Sequence, residues 1–320
     1  MRVLITGASG FIGQQLLADL AVQHPDWQLF AADIRPLATQ WLKPNIEGLV
    51  LDISHPDAVQ EAVANCQPDA IVHLASVVTP PPGMSEAHVH AIDVGGTRSI
   101  IQAAQANGVG QLIVTSSGAA YGYYPENAEW IDEDDPLRGH GKFAYAKHKR
   151  EVEQLLASAR QQYPQLKQLV LRPGTILGKQ VNNQITDMFK KHAVLGIRGC
   201  NSRFVFIWDQ DVISIIRQGL QNASSGIYNL AGDGALSLIE IARILGKPYR
   251  AVPAPLLSAA LRVLKPLGLT QYGPEQLDFL RYRPVLANRR LKEEFGYQPR
   301  YSSREAFLAF LSAQGVPAYA

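Results

Sequence analysis

The chain has 320 residues, 47% of them hydrophobic and 18% charged, with a formal net charge of +2. That composition reads as globular rather than disordered, and no run of one sign offers a surface for nucleic acid. Cys66 and Cys200 lie far apart, which excludes a disulfide framework and a zinc pattern and points to a reducing compartment. The sequence opens directly into an apolar run, so no leader is expected, and no apolar stretch is long enough for an integral membrane segment.

In chain order, Val3, Leu4 and Ile5 form a first strand, followed by glycines at Gly7, Gly10 and Gly13. Ile12, Leu16, Leu17 and Leu20 then recur at helical spacing. A strand, a tight glycine turn and a helix aim bare backbone N–H groups and a positive helix end at one point, where a pyrophosphate is stabilised. Gln28–Ala32 is a second strand ending in Asp33, and Leu49–Leu51 a third ending in Asp52. Ser54 and Pro56 open a helix. Ala70–Leu74 is a fourth strand, followed by a loop with three consecutive prolines and then a helix from Glu86 to Asn107. Leu112–Val114 is a fifth strand, entering Thr115-Ser116-Ser117. A polar loop from Tyr123 to Gly141 precedes a helix from Lys142 to Tyr163 and a sixth strand, Leu169–Leu171.

This alternation predicts an α/β fold with a doubly wound parallel sheet. After Arg172-Pro173 the rhythm breaks. A helical stretch at Ile185–Val194 and strands at Phe204–Trp208 and Gly226–Leu230 are expected, with a mostly helical, Pro- and Gly-rich tail after Gly232. The expected division is a dinucleotide-binding domain at 1–178, with 203–231 returning to it. A smaller, mostly helical C-terminal substrate lobe then comprises 179–202 and 232–320.

Three groups carry chemistry. Asp33 lies twenty residues after Gly13, where a carboxylate accepts both hydroxyls of an adenosine ribose and repels a 2′-phosphate. NAD is therefore expected over NADP, although Arg35 nearby is suited to a phosphate. Asp52 is placed to accept from the adenine amine, or simply to cap a turn. Tyr145 and Lys149 are four apart and share one helical face. A free tyrosine titrates near pH ~10, and a neighbouring ammonium favours the phenolate that a general base requires. Ser117, after the fifth strand, offers a hydroxyl to a reacting substrate oxygen. His148, between the active positions, is expected to be exposed or to pack. The acidic run Asp132–Asp135 reads as a solvated loop, and His88 and His90, two apart, do not share a helical face for a metal; no metal site is expected. Pro255–Gly268, apolar but carrying Arg262 and Lys265, reads as a helix packed on the second lobe, with contact to a membrane surface or an apolar substrate as the sharper alternative.

Gly7-x-x-Gly10-x-x-Gly13, Asp33, His73-Leu74-Ala75, Ser117-x-x-x-Tyr121-Gly122, Tyr145-x-x-x-Lys149 and Arg172-Pro173-Gly174 occur in one order. Together with Phe204–Val212, Tyr228–Gly232, Arg283-Pro284 and Leu291–Pro299, this pattern resembles the extended short-chain dehydrogenase/reductases, the NAD-dependent epimerase/dehydratase family, over nearly the whole chain. The resemblance implies a Rossmann domain with Tyr145 as acid/base, Lys149 as its electrostatic and ribose partner, and Ser117 on the substrate oxygen. It implies cofactor contacts at Gly7, Gly10, Phe11, Ile12, Gly13, Asp33, Arg35, Asp52, Ile53, Leu74, Ala75, Ser76, Thr115, Tyr145, Lys149, Pro173 and Thr175. Substrate contacts are expected at Ser117 and at Met84, Arg203 and Arg283.

A cytoplasmic homodimer with a small-molecule substrate is the corresponding expectation. The dimer would form through the helices at 86–107 and 142–163. Gly118 and Ala119 stand where the family's dehydratases carry Asp-Glu and its decarboxylating members a glutamate, which disfavours both reactions. Asp93 stands where the family often has asparagine, and Trp208 where histidine is common. An epimerase acting on a sugar or nucleotide sugar, or a simple dehydrogenase or reductase of a smaller or apolar substrate, both fit. A non-catalytic dinucleotide-binding protein fits less well, because Ser117, Tyr145 and Lys149 are all present.

Overall fold

The computed structural model describes residues 1–41, 43–267, 273 and 277–319. The first part of the chain alternates as the apolar runs dictate. Its elements are β1 (Arg2–Thr6), α1 (Phe11–Gln23), β2 (Gln28–Asp33), β3 (Ile46–Val50), α2 (Pro56–Cys66) and β4 (Ala70–His73). There follow α3 (Glu86–His90), a π-helical turn (Ala91–Gly95), α4 (Gly96–Ala106), β5 (Gln111–Thr115), α5 (Ala144–Gln162) and β6 (Lys167–Pro173). The rest comprises β7 (Thr175–Leu177), α6 (Gln184–Lys190), β8 (Val194–Ile197), β9 (Arg203–Phe204), β10 (Phe206–Trp208), α7 (Asp209–Gln221) and β11 (Gly226–Leu230). Then come β12 (Leu236–Ser237), α8 (Leu238–Ile244), β13 (Tyr249–Val252), α9 (Ala254–Leu264), α10 (Leu277–Arg281), α11 (Arg289–Glu293) and α12 (Ser303–Ala313).

Seven strands form one sheet in the order β11-β6-β5-β4-β1-β2-β3, and the pairings from β3 to β6 are parallel. Strand order reverses between β1 and β4, so the loops after these two strands diverge there and leave a crevice at their carboxyl ends. One face is covered by α2, α4 and α5, whose Val59, Val63, Ile100, Ala104, Val152 and Leu156 pack with Phe30, Ile71, Leu112 and Val170. α1 buries Leu16, Leu17 and Leu20, and α7 is tied to α1 by a two-pronged ion pair from Arg217 Nη1 to Asp19, 2.6 and 2.7 Å. The Gln111 amide donates to the carbonyls of Gly219 and Ser224, both at 2.9 Å, securing the start of β5 against α7 and the approach to β11.

Two compact units result: residues 1–120, 147–172 and 212–228, and residues 121–146, 173–211 and 229–320. In the second unit, Tyr121, Ile131, Val205, Ala231, Val285 and Leu286 form a core. Phe189, Phe204, Phe206 and Phe307 stack or meet edge to face at 5.1 to 6.3 Å.

Several expected elements differ in detail. The third strand runs Ile46–Val50, starting and ending earlier than its apolar run, because parallel pairing with Leu29–Asp33 sets its register. The helix expected through Val194 stops at Lys190, and Val194 instead begins β8, paired with β13. The helix expected from Glu86 is interrupted by the π-helical turn.

Candidate functional site

The glycine turn is built as its sequence requires. Gly7 has φ +71°, a left-handed conformation that disfavours a side chain, and a Cβ there would lie 2.7 Å from the backbone N of Ala75. A Cβ on Gly13 would strike the Gly7 carbonyl and lie 2.8 Å from Ala8 Cα. Gly10 caps α1 with no side-chain hydrogen bond, and the first turn of α1 holds no acidic residue, so its N–H groups face outward uncompensated. Ser9 Oγ is buried there with no partner among the described residues. A cradle closed to any Cβ, with an orphaned hydroxyl and a helix N-terminus, fits the pyrophosphate of a dinucleotide.

Asp33, at the end of β2, accepts from Ser9 N at 3.0 Å and from Arg35 N and Nε at 3.1 and 3.4 Å. Arg35 Nη2 reaches back to the Ser9 carbonyl, 3.1 Å. The two residues on which cofactor preference is expected to turn therefore form one cluster beside the glycine turn. Asp52 accepts from Ser54 N and Oγ at 2.9 and 2.7 Å, and these bonds hold its carboxyl below the ordinary value against the opposing effect of burial. It is a turn aspartate at the entry to α2. Ile53 is 3% exposed, and its side chain belongs to the apolar core rather than to an open surface.

A continuous hydrogen-bonded chain links these strand ends. Ala75 N donates to Thr6 Oγ1 (3.4 Å), and Thr6 Oγ1 lies 2.7 Å from His73 Nδ1. His73 Nε2 lies 3.1 Å from Thr97 Oγ1, which donates to the Asp93 carbonyl at 2.6 Å. Because Thr97 spends its proton on Asp93, its oxygen accepts from His73 Nε2–H, and His73 Nδ1 accepts from Thr6. Burial, reinforced by the Lys149 ammonium, pushes the His73 pKa down to about 3. Asp93 lies in the π-helical turn, 2% exposed. Its Oδ1 accepts from Ser76 Oγ (3.0 Å) and Val77 N (2.8 Å), and its Oδ2 lies 3.4 Å from His148 Nδ1.

α5 carries Tyr145 and Lys149 one turn apart. Lys149 is 5% exposed and donates from Nζ to the Thr115 carbonyl, 3.3 Å away, at the end of β5. A buried pair, Arg172 to Glu153 at 2.8 and 2.9 Å, pins the helix to β6. His148 is wholly buried rather than exposed, because the π-helical turn and its Asp93 lie against it. Ser117 Oγ accepts from Ala119 N at 3.1 Å, which leaves its O–H to donate elsewhere. Ser116 Oγ is buried with no partner among the described residues. Leu74 N bonds the Thr6 carbonyl, and Met84 is half-buried in the proline-rich loop.

In the second unit, Gly174 N donates to Leu230 O and Thr175 N to Val205 O, which fixes the chain just after Pro173. Thr175 Oγ1 accepts from Arg283 Nη2 at 3.2 Å. The Arg283 guanidinium lies between the rings of Phe204 and Phe279, 4.1 and 4.3 Å from their centroids, and its Nη1 is buried with no partner among the described residues. Burial pulls its pKa down to about 10. Tyr123, packed among Phe143, Phe279 and His140, has its phenol pushed well up by burial. Arg203, by contrast, is spent on Glu129, at 3.2 Å to its carbonyl and 3.1 Å to its carboxylate.

Tyr121 is a framework residue, 1% exposed, donating to Asn229 Oδ1 at 2.9 Å. The acidic run is not wholly solvated. Glu133 is 5% exposed, accepts from Asn229 N at 2.7 Å, and has its pKa raised to about 7, chiefly by burial. No group of three or more His, Cys, Asp or Glu placed to hold a metal occurs among the described residues. Sequence reasoning does not single out the roles of Thr6, Thr97 and Glu133. Asp93 stands out in the sequence only as a departure from the family pattern.

Residues 3–231 match the NAD dependent epimerase/dehydratase family. An uncharacterized protein of Mycobacterium tuberculosis (strain ATCC 25618 / H37Rv) is 24% identical over 321 residues, covering 98% of this chain and 84% of that protein. Among solved structures, the Bordetella bronchiseptica enzyme WbmG in complex with NAD and UDP superposes with a TM-score of 0.75 at 18% identity, covering 98% of this chain and 94% of that one. The UDP-glucose 4-epimerase of Thermotoga maritima with UDP-glucose gives 0.75 at 17% identity, covering 98% and 99%. The Thermus thermophilus UDP-glucose 4-epimerase complex with NAD gives 0.72 at 22% identity, covering 98% of each chain. At these identities the structures show the shared fold.

Proposed function

The chain belongs to the NAD dependent epimerase/dehydratase family, and from that premise we propose that it is an NAD-dependent enzyme interconverting a secondary alcohol and a ketone on a sugar or nucleotide sugar, as an epimerase. NAD, when bound, supplies the hydride acceptor and donor. The Gly7–Gly13 turn would hold its pyrophosphate, Asp33 its adenosine ribose in preference to a 2′-phosphate, and Lys149 its second ribose. Tyr145 takes the carbinol proton as the C–H hydride leaves and returns a proton when the ketone is reduced. Ser117 donates its remaining O–H to the reacting oxygen. The observation that carries this reading is Lys149, buried one helical turn after Tyr145 with its Nζ on the Thr115 carbonyl.

Arg283 supports a substrate with an anionic group, since it is a half-buried cation whose Nη1 is buried and unsatisfied, with no carboxylate on it among the described residues. Gly118 and Ala119 bring no carboxyl group to the turn after β5, which disfavours water elimination. A second reading, a one-way NAD(P)-dependent dehydrogenase or reductase of a smaller, apolar substrate, draws on the rings of Tyr123, Phe143 and Phe279 clustered near Arg283.

The test has two arms. Cofactor retained through purification and identified as NAD supports the epimerase, which regenerates it in each cycle, whereas an empty protein that consumes added cofactor with a ketone or alcohol supports the dehydrogenase. Tyr145→Phe is expected to lower turnover by about 10²–10⁴-fold while NAD titration stays within about threefold of wild type. Unchanged turnover overturns the acid/base assignment.

A further inference from the structure

α9 is a poorly covered α-helix. None of its residues is buried, although eight of the eleven in Ala254–Leu264 are Ala, Leu or Val. Leu256 is 62% exposed and Val263 60%, and just beyond the helix Leu267 is 64% exposed. Successive residues turn about 100°, so Leu256 and Val263, seven apart, share one face. Pro255, Ala259 and Arg262 are exposed beside them, and Leu257, Leu261 and Leu264, on the opposite side, are half-buried. The exposed stripe is therefore apolar, with Arg262 along one flank and the exposed Lys265 at the helix's carboxyl end.

The charge along this segment of the sequence is one-sided. Between Glu240 and Glu275 the sequence holds Arg243, Lys247, Arg250, Arg262 and Lys265 and no Asp or Glu. The exposed apolar side chains make up a patch of a few hundred Å² at most, below the roughly 800 Å² per partner that a stable protein interface buries. A lipid surface sets no such minimum. It takes single apolar side chains among its acyl chains, while Arg and Lys extend along the helix to anionic headgroups.

We infer that α9 and its basic flank are a peripheral docking surface for an anionic lipid bilayer, with Leu256, Val263 and Leu267 entering the headgroup boundary and Arg262 and Lys265 engaging the lipid phosphates and carboxylates. The contact is interfacial and reversible. α9 spans eleven residues, and no helix among the described residues is long and apolar enough to cross a membrane.

The test is flotation of the whole chain with extruded phosphatidylcholine vesicles, with and without phosphatidylserine, at low and high salt. At least about tenfold more protein is expected to float with the anionic vesicles at low salt, and the excess is lost at high salt. Leu256→Asp with Val263→Asp removes the flotation, and Arg262→Gln with Lys265→Gln weakens it severalfold, both with far-UV circular dichroism and NAD binding unchanged. Flotation that is absent, equal on neutral vesicles, or untouched by both pairs of substitutions overturns the assignment. So does sedimentation showing that Leu256→Asp turns a dimer into a monomer, which gives the face to a second copy of the chain. The wild-type lipid and salt dependence reads the proposal without any variant, and it is independent of the proposed enzymatic reaction.

Discussion

His148 and Lys149 are neighbours on α5 with different tasks. Lys149 reaches the carbonyl at the end of β5, while His148 turns inward to Asp93, itself held by Ser76 Oγ and Val77 N. His148 Nε2 is buried without a partner among the described residues, so the ring proton belongs on Nδ1, where it donates to Asp93. Replacing His148 with leucine leaves Asp93 one donor short in a dry site and is expected to cost about 2 kcal/mol of stability. His148→Asn, which presents an N–H where Nδ1–H was, is expected to recover most of that loss. Urea unfolding of both variants measures it, and equal loss in the two sinks the hydrogen-bond account. None of this is legible from the sequence. Tyr145 and Lys149 are recognised by their spacing, because helical periodicity alone places them together. Whether the residue between them faces inward depends on what covers the helix, and that is a turn fifty-five residues earlier in the chain.

The glycine turn and the π-helical turn show the same division between elements. Gly10 and Gly13 are legible because the requirement is local: the turn's own backbone lies where a Cβ would go, whereas Gly7 answers to its left-handed φ of +71° and to the Leu74–Ala75 backbone that approaches it from β4. Gly13→Ala is expected to push the turn apart and lower NAD affinity at least about tenfold, with the unfolding midpoint moving much less. Fluorescence titration with NAD against urea unfolding checks this, and an alanine variant with wild-type affinity removes the turn from the cofactor site. The π-helical turn has no comparable signature beyond Gly95-Gly96. The sequence reads as one helix from Glu86 to Asn107, and only the packing reveals the widened turn that aims Asp93 inward. The third strand departs from its apolar run for a related reason: the run marks burial, whereas the strand's limits are set by pairing with β2.

At the scale of the whole molecule, two buried groups set opposing slopes of stability against pH. His73 has its pKa lowered to about 3 by burial and Lys149, so the unfolded chain binds the extra proton and stability is lost as pH falls from about 6.5. Glu133 has its pKa raised to about 7, chiefly by burial, so the folded chain binds the extra proton and stability is lost as pH rises from about 4.5 to 7. The two nearly cancel between about pH 4.5 and 6.5. Glu133→Gln removes one slope. Its stability relative to wild type is expected to grow by about 1.4 kcal/mol per pH unit across that window, up to about 3 kcal/mol. Unfolding at a series of pH values checks this, and a difference that does not vary with pH refutes the burial of an ionisable carboxyl at 133.

The sheet's order also has a consequence for synthesis. β11, residues 226–230, is the outermost strand beside β6, which ends at Pro173. On the ribosome, β6 emerges more than fifty residues before the strand that covers it, and over that interval it presents an open row of N–H and C=O groups. Gln111 waits longer still for the carbonyls of Gly219 and Ser224. The nascent chain therefore passes through a state in which six strands are available and the seventh is still being made. In that state an edge-binding chaperone or a neighbouring nascent chain competes with the protein's own completion.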